Sequence, residues 1–123
     1  MPQTSTRIGD STILLCPPEG SPLKTEQDAL DLIGDAFGSQ ADTVVIPTER
    51  LDDAFFDLST RNAGGFLQKF VNYGLRVAIV GDISTHLEES NALRAFVAES
   101  NRGRDVWFVS TLDDLTARLT PAD

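Results

Sequence analysis

The stretch FFDLSTRNAGGFLQKFVNYGLRVAIVGDIS, Phe55–Ser84, decides the fold. It reads in order as a polar turn, a helix, a short loop and a buried strand with a polar exit. Ala63, Phe66, Leu67, Phe70 and Val71 recur at spacings of three and four, which gathers them on one helical face. Arg61, Asn62, Gln68, Lys69 and Asn72 fall on the opposite side. Ser59 and Thr60 stand just before the periodic run, where a side-chain oxygen accepts the first unpaired backbone N–H groups. Gly74 ends the helix, because glycine tolerates the left-handed conformation of a C-terminal cap. Leu75–Val80 follows, apolar without interruption from Val77, which suits a strand covered on both faces in a parallel sheet. Gly64 and Gly65 break the pattern, since each costs up to roughly 1 kcal/mol in a helix interior. They read either as close packing of helix on sheet or as room for a partner or ligand near the helix start.

Outward from that unit, strands and helices alternate. Gln3–Ile8 and Thr12–Cys16 flank the turn cluster Gly9-Asp10-Ser11 and predict a β-hairpin. CPPEGSP, ending at Pro22, is a loop. Thr25-Glu26-Gln27-Asp28 is a capping pattern that opens a helix, with Ala29, Leu30, Ile33, Ala36 and Phe37 as its apolar face and Gly38 as its stop. Glu26, Asp28, Asp31 and Asp35 form a solvated acidic face, with a metal site as the weaker alternative. Thr43–Ile46 is a strand ended by Pro47, and Thr48–Ala54 a polar loop. Thr85-His86-Leu87-Glu88 predicts a second capping box, opening a helix that buries Leu87, Leu93, Phe96 and Val97 and stops near Gly103. Val106–Val109 is a strand, and Ser110–Asp114 caps a last helix bearing Leu112, Leu115 and Leu119. The order β-β-α-β-α-β-α-β-α predicts one α/β domain over residues 1–123, with a mixed, mainly parallel sheet, an N-terminal hairpin and about four helices.

Composition removes several classes of function. A hydrophobic content of 41% belongs to a globular chain. No apolar run approaches the roughly 20 residues a membrane helix needs, and the N-terminal residues lack a signal core, so a cytoplasmic protein is expected. The net charge of −9 argues against nucleic acid and anionic membranes as partners, and leaves open a partner with a basic face. The single cysteine, Cys16, reads as a buried inert thiol.

Functional groups of such a sheet gather beyond the carboxyl ends of its strands. Three ends, Pro47–Arg50, Gly81–Thr85 and Ser110–Thr111, together with the helix opening at Asp57–Arg61, bring Arg50, Asp57, Ser59, Thr60, Arg61, Asp82 and Ser84 into one neighbourhood. The same residue types also cap helices and satisfy turns. A Ser–His triad is disfavoured because the single histidine, His86, falls in a first helical turn without a nucleophile elbow nearby. Zinc would want more Cys and His ligands than this chain holds, and neither a phosphate-binding loop nor a dinucleotide fingerprint occurs, so no metal and no cofactor is expected. Asp57 and Asp82 would make a carboxylate pair, a weak basis for acid/base work.

The element order and the turn FFDLS feeding a central helix resemble the STAS domain of bacterial anti-sigma factor antagonists. In that family one serine at the start of the helix is phosphorylated by a partner kinase. The resemblance points to Ser59, with Thr60 next, although Leu58 replaces the family's first serine and no glycine follows Ser59 directly. The runs LQKFVNYGLRVAIVGDIS and ESNRGRDVWFV more closely resemble a bacterial family, domain of unknown function 4180, over Thr25 to Leu119. Two functions are therefore expected in competition. One is a non-catalytic cytoplasmic regulatory or protein-interaction module, read through Ser59. The other is a small-molecule-binding protein or small enzyme using Arg50, Asp57 and Asp82. A homodimer is left open.

Overall fold

The computed structural model describes residues 4–57 and 62–119. Its elements are β1 (Thr4–Ile8), β2 (Ser11–Leu15), α1 (Glu26–Gly38), β3 (Thr43–Pro47), a 3-10 turn (Thr48–Arg50), α2 (Asp53–Phe56), α3 (Asn62–Asn72), β4 (Arg76–Val80), α4 (Ser84–Glu89), α5 (Asn91–Arg102), β5 (Val106–Val109) and α6 (Leu112–Leu119). The five strands lie in chain order, β1-β2-β3-β4-β5. β1 is antiparallel to β2 and the rest are parallel. The sheet is mixed and mainly parallel, opened by a hairpin, as the alternation of elements requires.

Strand side chains alternate between faces, and the core divides accordingly. Leu14, Val44, Ile46, Val77, Ile79 and Phe108 face one side, where α1, α2, α3 and α5 cover them. Ile13, Val45, Ala78, Trp107 and Val109 face the other, where α6 contributes Leu115. Chain-order strands joined by crossovers of one hand put every crossover helix on the same side. That explains the thick face and the thin one. On the thick face Phe66 is 1% exposed and meets Phe55 and Phe70 at ring separations of 5.6 and 5.4 Å. Gly74, at φ 76, ends α3 in the left-handed conformation expected of it.

The structure corrects the expected helices in four places. Six helices occur among the described residues, not four. Part of the supposed polar loop is α2, because Asp52 accepts the Phe55 N–H (3.2 Å) and Phe55 and Phe56 are buried. The helix expected from Thr85 to Gly103 is two helices, parted at Ser90, whose backbone is extended and whose Oγ accepts the Leu93 N–H (3.1 Å). Thr85 caps neither. On α1 the Thr25–Asp28 capping box is present, but the buried stripe is Ala29, Leu32, Ile33 and Ala36. Phe37 lies one residue further round and is 51% exposed, edge-on to Tyr73. Gly38 remains inside α1, and the left-handed residue beyond it is Gln40 (φ 58).

Two contacts finish the fifth strand. Trp107 lies between the guanidinium groups of Arg76 and Arg118, each 4.4 Å from the ring centroid, and donates from Nε1 to Gly103 O (2.8 Å). Asn101 of α5 donates from Nδ2 to Phe108 O (3.2 Å) and accepts the Phe108 N–H at Oδ1 (2.7 Å). Its carboxamide thus occupies backbone groups of β5 that another strand would use.

Candidate functional site

The carboxyl ends of β3 and β4 are pressed together. Gly81, at φ 149, leaves β4 where any Cβ would collide with the Thr48 side chain, so only glycine fits. This packing steers the chain after β3 into the 3-10 turn and α2, and the chain after β4 into α4. A surface cleft of about 680 Å3 lies between them, lined by Asp53, Phe56, Asp57, Thr85, His86, Glu89 and Ser90.

The expected polar neighbourhood is only partly assembled there. Asp57, an exposed residue at the C-terminus of α2, lines the cleft. Arg50 turns away. Its Nε donates to Ser21 O (3.0 Å), its Nη1 donates to Pro17 O (3.1 Å), and its own carbonyl accepts from Leu23 N (2.7 Å). Arg50 therefore pins the loop of residues 17–23 to the end of β3. Gly20 (φ 131) leaves the space for it, as a Cβ there would sit 3.0 Å from the guanidinium carbon. Asp82 and Ser84 make a local turn, with Asp82 Oδ1 accepting the Ser84 N–H at 2.9 Å. That backbone bond, and a second from the Ser84 side chain, hold the exposed Asp82 carboxyl below its ordinary range. Neither Arg50 nor Asp82 lines the cleft. Ser59, Thr60 and Arg61 lie outside the described residues.

The cleft also gathers residues outside the expected neighbourhood. His86 stacks on Phe56 with ring centroids 4.4 Å apart and planes 20° from parallel. Its Nε2 stands 3.7 Å from Asp53 Oδ1, and its side chain is 28% exposed. Glu89 also lines the cleft. Among the described residues, the carboxylates of Asp53, Asp57 and Glu89 share this lining with one imidazole and no lysine or arginine. Asp53 and Phe56 had a readable signal, since Asp52 three residues before Phe55 has the spacing of an N-cap. The approach of His86 to Phe56 had none, because it joins residues thirty apart through the packing of α2 and α4.

The described part of the lining carries three carboxylates and one imidazole. Among the described residues no group of three or more His, Cys, Asp or Glu is placed to hold a metal ion. No helix among them is long and apolar enough to cross a membrane. Cys16 is buried, and that burial pushes its thiol up to about 11, leaving it a neutral apolar filler.

No curated protein and no solved structure matches this chain. The family model for a domain of unknown function, DUF4180, matches residues 8–119. That span runs from the last residue of β1 to the last of α6, so it takes in both walls of the cleft, and the chain belongs to the DUF4180 family.

Proposed function

We infer that the domain is a non-catalytic protein-interaction module of the cytoplasm, and that its partner reads the carboxyl edge of the sheet. One observation carries this reading: the Asp53, Asp57 and Glu89 carboxylates line one cleft, with no lysine or arginine among its described lining residues. Such a concentration of negative charge steers and orients a basic partner surface. Two of the three charged groups that suggested chemistry are engaged otherwise, Arg50 on loop carbonyls and Asp82 on the Ser84 N–H. The chain-order sheet, opened by a hairpin and followed by helices at each strand end, supports the likeness to STAS domains. On that likeness Ser59, with Thr60 next, is the residue whose phosphorylation would change the partner. A phosphate there adds about −1.5 to −2 charges, two residues along the chain from Asp57.

The test is quantitative capture of partners from lysate by wild type, Asp53→Lys, Glu89→Lys, Ser59→Ala and Ser59→Asp, with melting temperatures in parallel. Both charge reversals should release a protein that wild type holds, without lowering the melting temperature. Ser59→Asp should release it and Ser59→Ala retain it. Identical captured sets across all five proteins sink the reading.

The alternative, a small-ligand site or small enzyme, is favoured by the stacked Phe56–His86 pair beside Asp53. It calls for a small organic cation seated on the rings. Titration with such amines, followed by His86 ring resonances, separates it from the protein-partner reading.

A further inference from the structure

The two edges of the sheet are treated differently. At β5, Val77 N donates to Asp105 O and Gly81 N to Val109 O, both at 2.9 Å, so the odd-numbered residues of β5 face β4. Phe108 therefore turns its N–H and C=O outward, and Asn101 takes both. At the opposite edge, Asp42 N donates to Thr12 O (2.9 Å) and Cys16 N to Val45 O (3.0 Å), so even-numbered residues of β2 face β3. Ser11, Ile13 and Leu15 then face β1, and their partners Ile8, Thr6 and Thr4 turn inward. Ser5 and Arg7 point their backbone groups out. Among the described residues nothing pairs with them, and β1 ends the sheet. An uncovered strand edge is a template for another strand, and folds commonly blunt it. Here one edge is blunted and the other is not.

We propose that this open edge pairs with the same edge of a second copy, giving a closed two-fold dimer with β1 antiparallel to its mate. The strand is self-complementary in one register. With Thr6 on the two-fold axis, Ser5 of each copy lies opposite Arg7 of the other, both outward-facing. These two pairs exchange four N–H to C=O hydrogen bonds, and Thr6 meets Thr6 as the non-hydrogen-bonded pair. The register that sets Arg7 against Arg7 places like charges directly opposite and is disfavoured. Charge favours this strip over the rest of the surface. The chain carries −9, yet Thr4–Ile8 holds no carboxylate and one arginine. Head-to-tail growth, β1 on the β5 of another copy, is blocked by Asn101, so association closes at two.

The experiment is sedimentation velocity over a wide concentration range on wild type, Ser5→Pro, Arg7→Pro and Arg7→Ala. Proline at an outward position removes no bond to β2, and by symmetry it deletes two of the four intermolecular bonds. Wild type should dimerise weakly, each proline should weaken the dimer by about tenfold or more, and Arg7→Ala should weaken it far less. Circular dichroism checks that the hairpin survives. Independently of folding changes at proline, Thr6→Cys should cross-link to itself under mild oxidation, because the axial pair brings its Cβ atoms to roughly 4.5–5.5 Å. Ser5→Cys should not. A chain monomeric at every concentration, a dimer indifferent to both prolines, or a Thr6→Cys protein that fails to cross-link overturns the proposal. A monomer whose β1 edge accepts a strand from a different protein overturns it equally.

Discussion

Cys16 is where burial alone fixes a side chain's chemistry. The thiol is 6% exposed and its pKa rises from 9.0 to about 11. A thiol whose folded value is raised keeps its proton in the fold while the unfolded chain loses it. The resulting stabilisation is fully present below pH 9.0 and is lost as pH rises toward about 11. The thiolate is the reactive form, so the native protein should resist a thiol reagent at pH 8 and react stoichiometrically once unfolded. Rapid native labelling would place Cys16 at the surface. Arg50 acts on its charge from nearby and shows how a residue's role escapes its type. Arginine at a strand end suggests anion binding. Here its donors are consumed by Pro17 and Ser21 carbonyls.

At the scale of elements, caps decide where helices begin. Thr-His-Leu-Glu has the spacing of a capping box, yet α4 starts at Ser84 and α5 is capped by Ser90. Ser90→Ala should therefore cost about 1 kcal/mol, and Thr85→Ala only a few tenths, in denaturant titrations. The reverse order would restore the single long helix. α1 follows its sequence signal. Asp28 accepts from Lys24 N (2.8 Å) and Thr25 N (3.1 Å), and the Lys24 bond is the main cause holding its carboxyl below 3.8. A depressed carboxylate stabilises the fold above its unfolded value near 3.8 and ceases to do so as pH falls through the folded value. Asp28→Asn should lower stability by about 0.3–1.5 kcal/mol at pH 7 and flatten the loss of stability on acidification below pH 4. An unchanged acid limb would show that Asp28 does not contribute to it.

For the whole molecule, the asymmetry of the two sheet faces sets where stability resides. Phe66 lies at the centre of the thick face and Leu115, 0% exposed, anchors α6 on the thin face. Phe66→Ala should cost roughly 3–5 kcal/mol and Leu115→Ala roughly 2–5 kcal/mol. Both are measured by reversible denaturant unfolding. A loss below about 1 kcal/mol for Phe66 would break the assignment of its helix face. A comparably small loss for Leu115 would mean that α6 is dispensable and that the Arg76–Trp107–Arg118 stack does not depend on it.

Periodicity within the chain was enough for the strands, the α1 cap, the buried face of α3, the Gly74 stop and the mainly parallel sheet. Each rests on neighbours at short sequence separation, whose physics is local. The cleft was legible in one of its residues, Asp57. Its other lining depends on α2 meeting α4, and on Ser90 breaking a helix that spacing alone would continue. Arg50 and Asp82 were placed at the right edge of the sheet, but their partners are backbone groups positioned by the tertiary fold. The same holds for Asn101, which no motif marks. Local propensity says which residues enter a strand; only the assembled sheet says which strand edge is left open.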